Sequence, residues 1–454
     1  LMFKKIEIWI LYLSILFGII FSIGFSIFVG VLVRQELVGS TKVGWLSKTA
    51  LTFAEIPMNL KKAFDGVSLP DRFPFENGFS GTFNSMESYL LLSRYDGDLG
   101  EGIVELIDLT NFEVLHTWNP DIDAINDLVQ QIDDFKYLER DFNNSRHLLE
   151  HPLLTSDGGL VFNPLKKIDA CSNLVFQNTT NQFHHSIELD SEENIWVSSQ
   201  LYPQSFPTEV VGRDTVSDGG FKDDAIAKLS SSGKVLFEKS LAQIFIENDM
   251  ESRLTMIGSS HKFQVDPIHI NDIQPVTFDS KHWKNGDLFI SLGHQSMVIL
   301  YRPATNEIIW RLDKKIFHQH DINVLNSNEI SIFNNNRKYF YPSKDLVDGN
   351  NEVLIYNFET KEISSYLKDS LISEDIRTVT QGRSKILPNG DLFIEETDFA
   401  RTLYFNADGS LRWSHVNRGD DGNLYRVGWS RILYSPEDIQ TINHLLESKG
   451  ACNE

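Results

Sequence analysis

Short apolar runs that recur along most of the chain constrain its fold more than any other feature. Most runs are followed by two further runs joined by a tight turn, as in 296–312, 352–367 and 401–416. A repeated strand–turn–strand unit is typical of a β-propeller, in which each small sheet packs on its neighbours around a central axis. Six such units begin near residues 89, 159, 194, 287, 329 and 391. The sequence therefore predicts an all-β, six-bladed propeller over residues 81–435.

A long apolar segment precedes these repeats. Residues 8–33 carry no charge, and as a helix rising about 1.5 Å per residue they exceed the roughly 30 Å hydrocarbon core of a bilayer. Lys4 and Lys5 favour a cytoplasmic N-terminus, although basic residues also follow the segment. We expect residues 1–35 to be a single-pass anchor in a bacterial inner membrane, with the propeller on the periplasmic side.

Two flanking features bear on partners. Gly18, Ser22, Ser26 and Gly30 recur every four residues, a spacing that lets helices approach closely, so a transmembrane partner or a homo-oligomer is one reading. The alternative interpretation is that Gly and Ser occur here only because they are common in membrane spans. Residues 36–80 are expected to form an amphipathic juxtamembrane segment and a linker, and residues 436–454 a short packing helix with a tail.

Composition excludes some functions. The formal net charge of −22 argues against nucleic acid, which needs a clustered basic surface. No cofactor and no metal site are expected. The acidic turns at 96–102 and 418–423 leave calcium as an alternative, but neither matches an EF-hand loop. The only cysteines, Cys171 and Cys452, would form a disulfide if the domain is exported.

Histidines precede the apolar runs at a regular distance. His151, His185 and His320 lie nine or ten residues before the run that follows each, and Arg383 occupies the corresponding position in the last unit. His269 has a longer turn after it. In a propeller the strand before each run lines the central channel, so these five side chains should meet at one mouth of it. A single histidine is usually structural, whereas four at equivalent positions indicate a site.

The segments FHHSIELD, DPIHINDIQ, ISLGHQS and HQHDINVL, with the later IFNNN, resemble those of bacterial arylsulfate sulfotransferases. The resemblance implies a six-bladed propeller that transfers a sulfuryl group between phenols without a nucleotide donor. It implies that His320 is the nucleophile, forming a sulfohistidine, and that His185, His269 and Asn271 are the other catalytic residues. By the same resemblance and position, the substrate-binding candidates are His151, His294, Asn334 and Arg383.

One departure from that family bears on activity. The family has an arginine before the HQ of its motif, where this chain has Gly293. Losing a charge-assisted donor to the sulfuryl group commonly slows such a reaction by orders of magnitude. Enzymatic activity therefore stays open at this stage. The alternative is a catalytically retired propeller that binds a small ligand or serves as a structural subunit of a larger membrane assembly.

Overall fold

The computed structural model describes residues 8–37, 45–46, 49–50, 68–129, 143–179, 182–201, 204–205, 221–255, 266–340, 344–448 and 452. The chain forms two compact units, residues 1–66 with 255–264, and residues 67–254 with 265–454.

The first unit contains one long helix, α1 (Ile8–Leu37). Its apolar stretch Ile8–Val33 is long enough to serve as a membrane anchor or a signal sequence, and nearly all of its described side chains are exposed. The predicted N-terminal apolar helix is thus confirmed. Most of the predicted amphipathic segment in residues 36–80 lies outside the described residues.

The second unit is the predicted six-bladed propeller. Blades 2, 3 and 4 are each built from four consecutive antiparallel strands. They are β6 (Leu153–Leu154), β7 (Leu160–Phe162), β8 (Lys166–Ile168) and β9 (Leu174–Gln177); β10 (Gln182–Leu189), β11 (Ile195–Leu201), β12 (Asp223–Leu229) and β13 (Val235–Ser240); and β14 (Ile270–Pro275), β15 (Leu288–Leu292), β16 (Met297–Arg302) and β17 (Glu307–Leu312).

The other blades carry additions. Blade 5 has an inserted hairpin, and it comprises β18 (Ile322–Val324), β19 (Glu329–Asn334), β22 (Glu352–Asn357) and β23 (Ile363–Tyr366), with β20 (Arg337–Phe340) and β21 (Lys344–Val347) as the hairpin. Blade 6 takes an outer strand from the N-terminal side of the propeller, and it comprises β24 (Arg383–Ile386), β25 (Leu392–Glu396), β26 (Arg401–Phe405), β27 (Leu411–Val416) and β2 (Gly78–Gly81).

Blade 1 closes the ring with strands from both ends of the unit. Its inner strand comes from the C-terminal side, and the blade comprises β29 (Arg431–Leu433), β3 (Tyr89–Asp96), β4 (Glu101–Asp108) and β5 (Glu113–Trp118). A separate short ladder joins β1 (Ser68–Leu69) to β28 (Leu424–Tyr425). The other α-helices among the described residues are α2 (Ile122–Asp127), α3 (Leu241–Glu247), α4 (Lys368–Ser373) and α5 (Pro436–Ser448).

The expected C-terminal helix packs on the propeller. Ile442 and Leu445 of α5 are fully buried in a cluster shared with blades 1 and 2. The predicted disulfide between Cys171 and Cys452 is present, with a Cα–Cα distance of 5.2 Å, and it ties the chain beyond α5 to blade 2.

Buried carboxylates of one blade hold the inner strand of the next blade at four places in the ring, at blades 4, 5, 6 and 1. In each link a carboxylate oxygen accepts a hydrogen bond from a backbone N–H of the following blade, at 2.6 to 3.0 Å. The links are Asp224 to Ile270, Asp272 to Ile322, Asp321 to Ser384, and Glu395 to Trp429 and Ser430. A buried hydrogen bond is costly to break where water is excluded, so these links fix the channel wall.

Candidate functional site

The candidate site begins with a backbone conformation that recurs around the ring. In each blade one residue at or just before the inner strand has a positive φ, which non-glycine residues seldom adopt. These residues are His151, His185, His269, His318, Gln381 and Trp429. In blades 5 and 6 the residues with this conformation lie two positions before His320 and Arg383. The repeated conformation places histidines from several blades at one end of the channel.

β-Bulges accompany this conformation in blades 3 and 4. The pairing of β10 with β11 shifts between His184 and Ile187, and that of β14 with β15 shifts between Ile270 and Asp272. Bulges re-aim side chains and are common beside functional sites. The bulge at Asn271 also interrupts the strict alternation of faces that would have put His269 and Asn271 side by side.

Three histidines and a carboxylate form a continuous chain at this mouth. His184 Nδ1 lies 3.1 Å from His185 Nδ1, and His185 Nε2 lies 3.1 Å from His269 Nε2. His269 Nδ1 is 2.9 Å from Asp266 Oδ2. The chain borders a cavity of about 280 Å³, which is also lined by Lys222.

Hydrogen-bond chemistry assigns the protons of this chain. Each of the three contacts needs one hydrogen, and three neutral imidazoles supply one each. His184 then donates to His185, His185 donates through Nε2 to His269, and His269 donates to Asp266. Burial favours a protonated Asp266, but the bond from His269 and the nearby His294 and Lys222 hold the pKa of the Asp266 carboxyl at about 2.

His185 is half-buried and lies between the other two histidines of the chain. Burial, reinforced by the neighbouring His184 and His269, lowers the pKa of its imidazole well below the usual range. His185 is therefore a neutral donor near pH 7, as the assignment above requires.

His320 lies in the wall between blades 5 and 6. Its Nδ1 is 2.8 Å from Asn335 Oδ1, which fixes the hydrogen on Nδ1 and leaves the lone pair on Nε2. That lone pair accepts a 3.0 Å hydrogen bond from the backbone N–H of Gln381. Burial lowers the pKa of His320 to about 3, against the opposing bond from Asn335. The ring is thus neutral and held in one tautomer.

Asn271 and Gly293 are in direct contact. The buried Asn271 amide donates to the carbonyl of Gln319 at 2.8 Å. A Cβ at position 293 would lie 2.3 Å from Asn271 Nδ2, far inside van der Waals contact. The space that a side chain at 293 would need is therefore taken by Asn271.

His151 and Arg383, which the sequence also predicts for the site, both contact Trp429. The His151 ring packs on this indole at 4.3 Å between centroids and is roughly parallel to the His185 ring at 6.2 Å. The Arg383 guanidinium lies 5.1 Å from the Trp429 ring centre and 3.5 Å from Asp321 Oδ1. Arg383 lines a different cavity from that of His185 and His269. The structure thus separates it from the histidine chain.

His294 extends the histidine group outward. Its ring stacks on His269 at 4.3 Å, and its Nδ1 lies 2.6 Å from the Asp266 carbonyl. Asp266, His269 and His294 each offer one ligand atom, all within 4.8 Å of one another. Two imidazoles and a carboxylate are a donor set that suits zinc.

The two asparagines at the end of β19, Asn334 and Asn335, have different contacts. Asn334 is turned into its own loop, where its Oδ1 accepts from the Phe317 N–H and its amide donates to Asn336. Its neighbour Asn335 is the residue that contacts His320. Sequence reasoning missed Asn335, and it gave no role to Asp266, although that residue stands three before His269. The N-N-N run was the available signal, since an amide beside a histidine can fix its tautomer.

Comparison with known proteins gives one family and several distant folds. The model of the arylsulfotransferase (ASST) family matches residues 146–418, more than half of the chain. No curated protein matches the sequence.

Among solved structures, a protein of unknown function from Bacteroides caccae is 11% identical and covers 73% of this chain and 94% of its own, with a TM-score of 0.41. A streptogramin B lyase is 12% identical over 78% of this chain and 96% of its own, with a TM-score of 0.35. Hydrazine synthase of Kuenenia stuttgartiensis is 10% identical over 67% and 71%, with a TM-score of 0.37. Likeness this distant carries no inference about function.

Proposed function

Because this chain belongs to the arylsulfotransferase family, we propose that it transfers a sulfuryl group between phenolic compounds through a covalent sulfohistidine at His320. The observation that carries the proposal is the neutral His320, whose tautomer Asn335 fixes with the lone pair on Nε2. A neutral imidazole with a lone pair on one ring nitrogen can attack sulfur and divide one transfer into two steps.

In the first step the Nε2 lone pair of His320 forms a bond to sulfur, and the bond between sulfur and the aryl oxygen breaks. The ring becomes an imidazolium whose Nδ1–H remains on Asn335, and the sulfuryl group keeps its negative charge. In the second step an acceptor phenolate oxygen attacks the sulfur, the N–S bond breaks and the neutral ring returns. Before the first step the Gln381 N–H has to give up its bond to Nε2.

The histidine chain supplies the proton that the departing phenolate needs. In the proposed relay His185 gives its Nε2 proton to the phenolate and takes another at Nδ1 from His184. His184 then takes a proton from solvent at Nε2, which faces Asp224 at 3.6 Å. The second step runs the same transfers backwards. Asn271 is proposed to bind the sulfuryl oxygens with His185, once the His185 Nε2–H has left His269. His269, held by Asp266, is proposed to orient His185, and His151 and His294 to line the substrate site.

A ligand-binding or structural role without catalysis is the second candidate. Two observations favour it: Gly293 stands where the family's arginine is expected, and the His320 lone pair is already engaged by Gln381. In that case the histidine mouth, the channel end that carries His151, His185, His269, His294 and His320, would hold a phenolic or anionic ligand without turnover.

We further propose that α1 remains in a bacterial inner membrane, with the N-terminus cytoplasmic and the propeller periplasmic. The disulfide supports this placement because such bonds persist in oxidising compartments. The length and apolarity of α1 agree with it.

Transfer from 4-nitrophenyl sulfate to phenol, measured as nitrophenolate release, tests the catalytic proposal. We expect turnover by the full chain, none by His320→Ala, and a rate lowered at least about tenfold by Asn335→Ala, since the tautomer is then no longer fixed. His444→Ala, at an exposed histidine on α5, is the matched control and should leave the rate unchanged. Equal rates for His320→Ala and the control would refute the proposal.

A further inference from the structure

A second cavity, of about 300 Å³, lies where the inner strands end rather than where they begin. All six inner strands contribute to its wall. The contributing residues are Leu154 of β6, Leu189 of β10, Gln274 of β14, Asn323 of β18, Lys385 of β24 and Leu433 of β29. It is therefore a central cavity of the propeller, separate from the one that the histidines border.

Three cationic side chains line this cavity, and one of them is fully neutralised. Arg431 makes a two-fold bond to the Glu188 carboxylate at 2.9 and 3.0 Å, and also donates to two backbone carbonyls. Arg383 and Lys385 lack such partners. The nearest carboxylate oxygen to Arg383 is 3.5 Å away, on Asp321.

The donors of Arg383 and Lys385 are incompletely used. The Arg383 side chain is only 6% exposed, and its buried Nη1 has no hydrogen-bond partner among the described residues. The Lys385 ammonium donates to Asn323 Oδ1 at 2.9 Å, and no carboxylate pairs with it in the described part of the chain. A buried cationic donor without an acceptor is costly, so an acceptor is expected in the cavity.

The remaining charges nearby do not supply that acceptor. The Asp321 carboxylate already accepts from Asn323 and the Ser384 N–H. Burial and the adjacent carboxylates raise the pKa of Asp272 well above its usual range, and its Oδ2 already accepts the Ile322 N–H. Asp438, at the cavity rim, caps α5 and accepts from two backbone N–H groups. Arg383 and Lys385 thus have no close carboxylate of their own, and the Arg383 Nη1 keeps an unused donor among the described residues.

The rest of the wall selects among anions. Leu189, Leu433 and Phe393 give the cavity apolar surface, which a hydrated inorganic ion does not use. We propose that this cavity binds a small organic monocarboxylate, with its carboxylate between the Arg383 guanidinium and the Lys385 ammonium and its apolar body against these side chains. The inference does not depend on the sulfuryl-transfer proposal, because Arg383, Lys385 and these apolar side chains have no part in the proposed transfer.

Benzoate is a suitable probe, and binding to the full chain in detergent can be followed by isothermal titration calorimetry. We expect one benzoate per chain, with benzamide, its neutral analogue, and inorganic sulfate each at least about tenfold weaker. Lys385→Met should weaken benzoate binding at least about tenfold. Gln274→Glu, which puts a negative charge in the wall without touching Lys385, should weaken it as well, so the test does not rest on one variant.

Two controls separate this cavity from others. Lys281→Met removes a lysine whose side chain is 75% exposed and should leave benzoate binding unchanged. His320→Ala should also leave it unchanged, because that residue belongs to the histidine mouth. The proposal fails if the wild-type chain shows no benzoate binding up to about 10 mM. It also fails if sulfate binds as tightly, if folded Lys385→Met and Gln274→Glu bind normally, or if His320→Ala abolishes binding.

Discussion

Single residues at the histidine mouth are held by neighbours that leave them little freedom. Asn335 fixes the tautomer of His320 through a 2.8 Å contact, and Asp266 holds one end of the histidine chain. The spacing of histidines in the sequence predicted that His185 and His269 meet, and their Nε2 atoms lie 3.1 Å apart. It could not indicate Asn335 or the engagement of the His320 lone pair, because both depend on how blade 6 approaches blade 5.

Substitutions at Gly293 test whether Asn271 fills the space beside this residue. Gly293→Ala should force the Asn271 amide from its bond to Gln319 and lower the free energy of unfolding by about 1–3 kcal/mol. Gly293→Arg should therefore not raise the sulfuryl-transfer rate, although it restores the residue that the family carries. Both effects can be measured by denaturant unfolding and by the nitrophenolate assay.

The control for Gly293 is the double variant Gly293→Ala with Asn271→Ala. Removing the amide relieves the clash, so the two substitutions should cost less together than the sum of their separate costs. Additive costs, or a faster Gly293→Arg enzyme, would show that Asn271 does not occupy the space beside Gly293.

At the scale of elements, the inner strands combine regular pairing with an irregular start. Their positive φ values and bulges turn histidines toward the channel mouth, while carboxylates of the preceding blade hold the inner strands of blades 4, 5, 6 and 1. Continuous apolar runs in the sequence predicted the strands, because a strand that is buried on both faces is apolar throughout. The bulge at Asn271 was not predictable, since one extra residue changes the pairing without changing the pattern of apolar residues.

Glu395 tests the carboxylate links. It is fully buried, and its two oxygens accept the N–H groups of Trp429 and Ser430, just before the strand β29 that closes the ring. Glu395→Gln replaces one acceptor with an amide NH₂ that faces a backbone N–H. We expect the free energy of unfolding to fall by about 1–3 kcal/mol.

Guanidinium unfolding followed by circular dichroism measures this loss. Glu359→Gln, at a carboxylate that is 52% exposed and 3.5 Å from Lys281, is the matched control and should change stability by less than about 0.5 kcal/mol. Equal midpoints for the two variants would mean that the buried links do not stabilise ring closure.

The whole propeller is closed by contacts between distant parts of the sequence. The three-residue strand β29 completes blade 1, and β2 is added to blade 6 from before the predicted start at residue 81. Six repeats in the sequence were enough to predict six blades. The strands β29 and β2 were not predicted, because each is too short to show a hydrophobic pattern of its own.

The disulfide joins residues that are 281 positions apart in the sequence, so it acts on the stability of the whole propeller. Replacing Cys171 and Cys452 together by serine should lower the free energy of unfolding by about 2–4 kcal/mol, as the unfolded chain gains freedom. Denaturant unfolding without reductant compares the variant with the wild type. Midpoints and slopes that coincide would show that the crosslink leaves the stability of the propeller unchanged.

The account depends most on a covalent sulfuryl group at His320. The direct measurement is intact mass and peptide mass spectrometry of the full chain after brief exposure to 4-nitrophenyl sulfate without an acceptor. We predict one added sulfuryl group, located on His320, absent from His320→Ala, retained in His444→Ala and lost when phenol is added. No adduct with any of several aryl sulfates, or an adduct that persists in His320→Ala, would contradict the proposed mechanism.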